Sequence, residues 1–430
     1  MGKGNRLTIY ILAAMVLGIV VGYIIHITSS YETIQSFSKN IKLLSSIFIR
    51  LVQMIIAPLV FATLVVGIAK LGDLKAVGRV GGKALLWFVS ASLVSLLLGM
   101  LLVNVFKPGA YIDLSQADTE GVKDLMTKTS SFSIQNFVEH IIPKSLFEAM
   151  ATNEILQIVV FSIFFGVAAA AIGDYTKPLI KALDVASHII LKMVNYVMNF
   201  APIGVFGALA AVVAAKGLGI FRFYLVYFAY FLLGIAILWL LLIGVGYIIL
   251  GPHRMKVLLR RIGGPLLIAF STTSSEAVFP KLTEELERFG CKDKIVAFVL
   301  PLGYSFNLDG SMMYMTFASL AIAQAYGIDL DLGTQLVMLL VLMLTSKGIA
   351  GVPRASLVVV LEKCDMFNIP PEGVALILPI DHFCDMFRSA TNVVGNALAT
   401  SVVSKWEGEL HDGHGHHHDS HHGHQHADHG

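Results

Sequence analysis

The chain has 430 residues, of which 56% are hydrophobic and 14% are charged, with a net charge of +2. Soluble domains contain about a quarter charged residues, so this composition excludes an ordinary soluble domain and indicates an integral membrane protein. The chain has no basic run with interleaved aromatic residues, so nucleic-acid binding is not predicted. The three cysteines, Cys291, Cys364 and Cys384, lack the spacing of a disulfide framework or a metal site, and no cofactor is expected.

Six apolar stretches are long enough to cross a bilayer, which takes about 20 residues in a helix. The first stretch follows Lys3 and Arg6 and is interpreted as a membrane span rather than a cleaved signal. The second and fifth contain Pro58 and Pro202, where we expect kinks. The six stretches cover residues 7–27, 41–70, 84–106, 154–172, 182–214 and 223–250.

After residue 250 the apolar stretches are broken by glycine, proline and clustered hydroxyl residues. Non-helical backbone at membrane depth is tolerated only where it lines a cavity or is buried in protein. Segments 263–290 and 333–363 are predicted to form re-entrant hairpins, with an interrupted span at 295–326 between them and a last span at 374–403. The sequence therefore predicts an all-α polytopic membrane protein with eight transmembrane helices and two re-entrant hairpins.

Basic residues predict the orientation of these spans, because lysine and arginine concentrate in cytoplasmic loops. The segment 329–331 has no lysine or arginine and is expected outside. Both termini are then cytoplasmic, in a multi-pass protein of the cell inner (plasma) membrane. The residues on which this rests are Lys70, Lys75, Arg79, Lys83, Lys177, Lys181, Arg254, Lys256, Arg260 and Arg261.

The last twenty residues, 411–430, contain ten histidines together with Asp412, Asp419 and Asp428. Such a composition is able to chelate zinc, nickel or copper, with His416, His417 and His418 as candidate ligands. An inert low-complexity tail is the alternative interpretation, and no metal is predicted in the membrane-embedded core.

The last predicted span carries three charged residues, which are rare and usually functional inside a membrane. Asp381, Asp385 and Arg388 are spaced by four and three residues and therefore fall near one helical face. A guanidinium suits a substrate carboxylate, and a neighbouring carboxylate suits a substrate ammonium. Alternatively, the Asp385–Arg388 pair merely neutralises itself, although Asn392 and Asn396 extend the same polar face.

The interrupted span places Asn307, Asp309 and Ser311 around a flexible glycine. An unwound turn there would free backbone carbonyls to bind a cation or a ligand. The helix N-termini expected near residues 274–275 and 350–352 would present amide hydrogens to an anionic group. These patterns predict a transporter for a small acidic solute.

Four motifs in this order resemble the dicarboxylate/amino acid:cation symporters, the glutamate transporter family. They are the serine-rich segment 271–276, Asn-Leu-Asp-Gly at 307–310, Gly-Ile-Ala-Gly-Val-Pro at 348–353, and 385–392. The resemblance implies a homotrimer in which a mobile transport domain carries its site across the membrane like an elevator. It assigns residues 1–80 to the scaffold, 81–106 to a transport-domain helix, 107–222 to a loop and scaffold helices, 223–410 to the transport domain, and 411–430 to a histidine-rich cytoplasmic tail.

The same resemblance implies roles for individual residues. Arg388 would hold the side-chain carboxylate of the substrate and Asp385 its α-amino group. Asn307 and Asp309 would support the core of the site. The rest of the pocket would comprise Asn392, Ser274, Ser275, Ser311 and Val352, with Gly351 in the second hairpin as part of the outer gate.

Departures from the family bear on the coupling ion. Sodium-coupled members have an aspartate where this chain has Asn396. Other members have an arginine at Thr273 or a glutamate at Met315, whereas this chain carries Glu276 and Arg354 in its hairpins. We expect Glu276 to carry the proton, because a carboxyl group near a partly dry site can be protonated near neutral pH. A static Glu276–Arg354 pair that closes the hairpin tips is the alternative.

The combined expectation is a proton-coupled symporter for glutamate or aspartate, whose partners are substrate, protons, membrane lipid and further copies of the chain. Asp385 favours an amino acid over a C4-dicarboxylate, which has no ammonium group. A C4-dicarboxylate symporter, a sodium-coupled glutamate/aspartate transporter and an anion channel remain as alternatives. An enzyme is not predicted, because the spans contain no nucleophile–base constellation or metal site.

Overall fold

The computed structural model describes residues 3–113, 115, 117–120, 138–139, 141–346 and 355–411, and these residues are predominantly helical. Across these ranges, β-type pairing is confined to an isolated antiparallel bridge between Cys291 and Leu410. The α-helices are α1 Lys3–Thr28, α2 Tyr31–Leu71, α3 Leu74–Phe106, α4 Leu146–Ala151, α5 Ile155–Ile172, α6 Lys177–Met198, α7 Ala201–Lys216, α8 Ile220–Phe223, α9 Leu225–Leu250, α10 Pro252–Thr272, α11 Phe279–Phe289, α12 Asp293–Phe306, α13 Asp309–Ala325, α14 Leu332–Thr345, α15 Ala355–Cys364 and α16 Val374–Trp406.

Five segments of the described chain are long and apolar enough to cross a membrane. Together they identify a multi-pass membrane protein, as the composition predicts. They are Arg6–Thr28, Tyr31–Leu71, Leu74–Phe106, Ile155–Met198 and Leu225–Leu250.

The helix boundaries differ from the apolar stretches in two ways. Helix α2 begins ten residues before its predicted start, because Ser30 caps it by accepting a hydrogen bond from the Thr33 backbone NH at 3.5 Å. The prediction of one continuous span over 182–214 is wrong, because helix α6 ends at Met198 and helix α7 begins at Ala201. Pro202 lies in the first turn of α7, where backbone NH groups make no hydrogen bond within the helix, so the missing NH of proline costs nothing there. Pro58, by contrast, lies inside the uninterrupted helix α2.

The second half of the chain contains the predicted helix interruptions. Helix α10 ends at Thr272, and Thr273 adopts a left-handed φ of 55° before α11 begins. Helices α12 and α13 are separated at residues 307–308, whereas α16 is continuous and is the most deeply buried long helix. Residues 347–354, between α14 and α15, lie outside the described residues.

The helices pack in two groups. Helices α1, α5, α6 and α7 pack on one another or on α2, while α3, α9, α10, α12 and α13 pack around or alongside α16. Contacts between the groups run from α12 to α2 and α5, and from α10 to α1 and α7. Close approach relies on small residues: a Cβ added at Gly22 of α1 would lie 2.8 Å from the Ala210 carbonyl oxygen of α7.

The α3–α13 contact gives a stability prediction. A Cβ added at Gly99 would lie 2.5 Å from the Met313 carbonyl oxygen and would also collide with Thr316 Oγ1. We expect Gly99→Ala to cost about 1–3 kcal/mol through overpacking, seen as a lower apparent melting temperature of the purified protein. Gly78→Ala is the matched control, because Gly78 lies in the same helix with no atom within 4 Å of its added Cβ. Equal melting temperatures for the two variants would contradict the packing.

Candidate substrate and coupling site

Asp381, Asp385 and Arg388 of α16 lie together in the protein interior, as their spacing predicts. Arg388 is 4% exposed and forms an ion pair with Asp385. Its guanidinium also lies over the Tyr314 ring of α13, 5.2 Å from the ring centre. The Tyr314 hydroxyl donates a hydrogen bond of 2.8 Å to Asp381 Oδ1. Tyr314 therefore fixes the position of Arg388 from one side, and Asp385 does so from the other.

One end of the Arg388 guanidinium meets no hydrogen-bond acceptor among the described residues. Its Nη1 is buried, and no acceptor within the described ranges reaches it. A buried N–H group without an acceptor is costly, and guanidinium donors are strong and directional. The Nη1 of Arg388 can therefore donate hydrogen bonds to a ligand carboxylate while Nη2 keeps its bond to Asp385.

The start of α13 is fastened to α16 by Asn392. Its Oδ1 accepts hydrogen bonds from the backbone NH groups of Gly310 at 3.0 Å and Ser311 at 3.3 Å, and its Nδ2 donates to Ser311 Oγ at 3.2 Å. A Cβ at Gly310 would lie 2.6 Å from the Arg388 carbonyl oxygen, so glycine is required for this approach. The predicted pocket residues Asn392 and Ser311 are thus close to Arg388.

A second polar cluster lies one turn further along α16. Asn396 is 1% exposed, and its amide nitrogen donates to the carbonyl oxygens of Gly303 at 3.2 Å and Asn307 at 3.0 Å. The nitrogen is assigned to this position because an oxygen there would face these two carbonyl oxygens, although it would also accept a hydrogen bond from Asn307 Nδ2 at 3.3 Å. Asp309 is fully buried beside Gly395, where an added Cβ would strike its carboxylate. The predicted coupling residues Asn307, Asp309 and Asn396 therefore form one cluster.

The tip between α10 and α11 is joined to α12. Ser274 Oγ accepts a hydrogen bond of 3.2 Å from the Ala277 backbone NH, and the Ser275 carbonyl accepts one of 2.9 Å from the Tyr304 hydroxyl. Glu276 follows at the start of a 3₁₀ turn and is half-buried. These two hydrogen bonds hold the tip itself, and neither of them reaches Arg388.

Several predicted residues lie outside the described residues. Gly351, Val352 and Arg354 belong to segment 347–354, and His416, His417 and His418 belong to the tail. The outer gate, the Glu276–Arg354 pair and metal binding by the tail therefore stay predictions.

Two residues of the site were missed from sequence. Tyr314 orients Arg388, and its spacing of three from Ser311 was an available signal for a shared face. Trp239 donates a hydrogen bond of 2.8 Å to Thr391 Oγ1 and so braces α16 beside Asn392. Nothing in the apolar sequence of α9 distinguishes that tryptophan from a lipid-facing one.

A buried, charge-bearing site between interrupted helices of an apolar multi-helix protein defines a membrane transporter for a small anionic solute. The sequence comparisons agree. The chain belongs to the Sodium:dicarboxylate symporter family, whose profile matches residues 7–406. It is therefore a transporter and not an enzyme, and the resemblance seen in its motifs is confirmed.

Relatives of two kinds are similar to the chain over nearly their whole length. A proton/sodium-glutamate symport protein of Bacillus caldotenax is 37% identical, and a C4-dicarboxylate transport protein of Bacillus subtilis (strain 168) is 38% identical, with 94% of each chain covered. A proton/glutamate-aspartate symporter of Escherichia coli (strain K12) is 40% identical over 92% of each chain. These relatives are named for dicarboxylates or for acidic amino acids.

Proposed function

We propose that the protein is a proton-coupled symporter that imports glutamate and aspartate across the cell inner membrane. The observation that carries the proposal is the buried Asp385–Arg388 pair on α16, in which one donor nitrogen of Arg388 meets no acceptor in the described part of the chain. The relatives named as glutamate or glutamate-aspartate symporters support the same assignment.

The pair suits an acidic amino acid better than the alternatives. Arg388 binds the side-chain carboxylate, and Asp385 attracts the α-ammonium group. A C4-dicarboxylate offers no cation to Asp385 and adds negative charge beside Asp381. A neutral amino acid leaves the buried Arg388 donor unpaired, at a cost of about 1–3 kcal/mol or more. Asn392, Ser311, Ser274 and Ser275 complete the pocket, together with Val352 and Gly351 of the second hairpin.

The Asn396 cluster supports protons rather than sodium as the coupling ion. Sodium requires oxygen ligands, yet the Asn396 amide nitrogen faces the carbonyls of Gly303 and Asn307 and supplies their hydrogen-bond donors itself. Asn396 itself is a neutral amide, so among the described residues of this cluster only Asp309 offers a carboxylate to a buried cation. Glu276 then carries the proton. When Glu276 is ionised it pairs with Arg354, and protonation of Glu276 breaks that pair.

The two packing groups support an elevator motion. Helices α1, α2, α5, α6 and α7 form the scaffold, and α3, α9 to α13 and α16 form the transport domain with two re-entrant hairpins, α10–α11 and α14–α15. One link between the groups is the Lys70–Asp293 ion pair, 2.7 Å long with both side chains about half exposed. Such a pair contributes about 0–1 kcal/mol, so sliding is not prevented. Eight spans, trimeric assembly in lipid and cytoplasmic termini belong to this proposal.

Glu276→Gln is expected to abolish proton-driven glutamate accumulation while sparing exchange of internal for external glutamate. The glutamine keeps the size of the side chain but cannot release a proton, whereas exchange needs no net proton transfer. Both activities are measured with labelled glutamate in proteoliposomes. Glu148→Gln, at an exposed glutamate of α4, is the matched control and should retain both. If accumulation survives in Glu276→Gln, Glu276 is not the proton carrier.

A C4-dicarboxylate symporter is the second candidate, because relatives named C4-dicarboxylate transport proteins are equally similar. Competition against labelled glutamate uptake separates the two candidates. Unlabelled aspartate should compete strongly, and succinate should compete at least tenfold more weakly. Strong competition and accumulation of succinate would instead establish the second candidate. An anion current that persists without any substrate gradient would favour a channel.

A further inference from the structure

A cluster of charged side chains lies where the two groups of helices meet. Lys70, in the last turn of α2, pairs with Asp293 of α12 at 2.7 Å and lies 4.0 Å from Asp184 of α6. Glu287, in the last turn of α11, interacts electrostatically with all three. Helix α6 packs on α2, whereas α11 and α12 pack on α16. One lysine therefore faces three carboxyl groups, one from its own group of helices and two from the other.

The helices that carry this cluster are in close contact. A Cβ added at Gly67, one turn before Lys70, would lie 3.2 Å from Lys294 Cα and 3.4 Å from Ala297 Cβ of α12. Helix α11 packs on α2 and α6 as well as on α10 and α12. The four side chains are therefore held near one another by helix packing, and a change in the charge of one of them acts on the others.

Glu287 is the member of the cluster that changes its charge near neutral pH. It lies outside the five apolar segments that are long enough to cross a membrane. Burial, together with the charges of Asp293 and Glu284, raises the pKa of the Glu287 carboxyl to about 7, and the charge of Lys70 opposes this rise only in part. Burial also raises the pKa of Asp293, but the hydrogen bond and the charge of Lys70 outweigh it and hold that pKa below its ordinary value. Asp293 therefore stays ionised while Glu287 gains and loses a proton.

The other charged groups near Glu287 take part in ion pairs or charge interactions of their own. Lys281 pairs with Glu284 and Glu285, both at 3.1 Å, and Arg288 pairs with Glu284. On the neighbouring elements these groups are Arg261 with Glu285, His188 with Asp184, Lys292 beside Asp293, and Lys294 with Glu409. The cation that acts on Glu287 is Lys70, which Asp293 and Asp184 already share. An ionised Glu287 therefore adds negative charge that the cluster does not compensate.

We propose that Lys70, Asp184, Glu287 and Asp293 form a pH-sensitive contact between the two groups of helices, strong when Glu287 is protonated and weak when it is ionised. A third carboxylate in the contact repels the two that already share Lys70. Because the packed arrangement favours the protonated form of Glu287, the contact is strongest below about pH 6 and weakens as the pH rises through about 7. A few half-exposed charges bias the sliding of the two groups and do not block it.

The consequence for transport rests on the proposed proton-coupled import, whereas the contact itself does not. Lys70 and the start of α12 lie on the side of the membrane that the basic residues predict to be cytoplasmic. A symporter that imports protons acidifies the cytoplasm. Acidification protonates Glu287 and tightens the contact, so that the two groups of helices slide more slowly. The cluster thereby limits import when the cytoplasm is acidic.

The test follows the contact by a cross-link between the two groups of helices. Gly67→Cys with Ala297→Cys places two thiols at neighbouring positions of α2 and α12, with Cβ atoms about as far apart as in a disulfide. Disulfide formation is measured in the purified full-length protein at about pH 6 and about pH 8, with Glu287 and with Glu287→Gln. The ratio of the two rates at one pH cancels the pH dependence of the thiols. We expect equal rates at about pH 6 and, with Glu287, at least about threefold slower cross-linking at about pH 8.

Glu32→Gln, at an exposed glutamate of α2, is the matched control and should cross-link as the chain with Glu287 does at both pH values. Apparent melting temperatures without the added cysteines give a second measurement. Those of the unaltered chain and Glu287→Gln should agree at about pH 6, and Glu287→Gln should melt at the higher temperature at about pH 8. Equal cross-linking rates of the Glu287 and Glu287→Gln chains at both pH values, or equal melting temperatures at both, would overturn the proposal.

Glutamate exchange in proteoliposomes connects the contact to transport, because exchange needs no net proton transfer. At an internal pH of about 8 the unaltered protein should exchange at least about twofold faster than Glu287→Gln, and at about pH 6 the two should be equal. A pH-dependent cross-link in a protein that does not transport glutamate would refute the proposed function and leave the contact standing. Glutamate accumulation with a pH-independent cross-linking ratio would refute the contact and leave the proposed function standing.

Discussion

Replacing Arg388 with glutamine is expected to lower the initial rate of glutamate uptake by at least about 100-fold, which corresponds to about 2.7 kcal/mol. The guanidinium supplies the charge that pairs with the substrate carboxylate, and its loss also leaves Asp385 without its cation inside the protein. Breaking a buried, hydrogen-bonded ion pair typically costs about 3–5 kcal/mol. Labelled glutamate uptake into proteoliposomes measures the effect directly.

Arg260→Gln is the control for Arg388→Gln, because Arg260 is exposed on α10. This control should retain uptake within about twofold, as expected for a surface charge. Size-exclusion profiles and apparent melting temperatures of both variants show whether Arg388→Gln still folds. A folded Arg388→Gln protein that takes up glutamate at the normal rate would remove Arg388 from the substrate site.

Asn396→Asp is expected to make glutamate uptake depend on sodium. The variant replaces the Asn396 amide nitrogen with a carboxylate oxygen beside the carbonyl oxygens of Gly303 and Asn307. The three groups then offer only oxygen atoms, which suit a small cation. Without a cation the carboxylate is buried and unpaired, a state that costs several kcal/mol. Sodium should therefore raise both the uptake rate and the apparent melting temperature of the variant, and should change neither in the unaltered protein.

The control for Asn396→Asp introduces the same chemical change at Asn104, an exposed residue of α3 that is hydrogen-bonded to Gln335. Asn104→Asp should show no sodium effect on uptake or on the melting temperature. If potassium or choline chloride stabilises Asn396→Asp as well as sodium chloride does, the effect is ionic strength and no cation site has formed. Strong sodium dependence of the unaltered protein would refute the role assigned to the Asn396 amide.

The polar face of α16 was predictable because helical spacing is geometric. Asp381, Asp385, Arg388, Asn392 and Asn396 follow one another at intervals of three or four residues, and a single uninterrupted helix places them along one side. The interruption at residues 307–308 was also predictable, since a glycine and polar residues stand inside an apolar run. Both signals are local in sequence.

Contacts between distant segments were not predictable from the same signals. The approach of Tyr314 to Arg388, and of the Gly303 and Asn307 carbonyls to Asn396, depends on how α12, α13 and α16 cross. The break between α6 and α7 was predicted only as a kink at Pro202, because hydropathy continues through it. Helix α2 extends beyond its apolar stretch for the opposite reason: its first turns are polar but helical.

The most direct test of the proposed function is labelled glutamate uptake into proteoliposomes, with an inward proton gradient or an inward sodium gradient imposed in separate runs. We predict accumulation of glutamate with the proton gradient alone and none with the sodium gradient alone. Accumulation with sodium only would contradict proton coupling and the roles given to Asn396 and Glu276. Accumulation of succinate but not glutamate under the proton gradient would contradict the substrate assigned to Asp385 and Arg388.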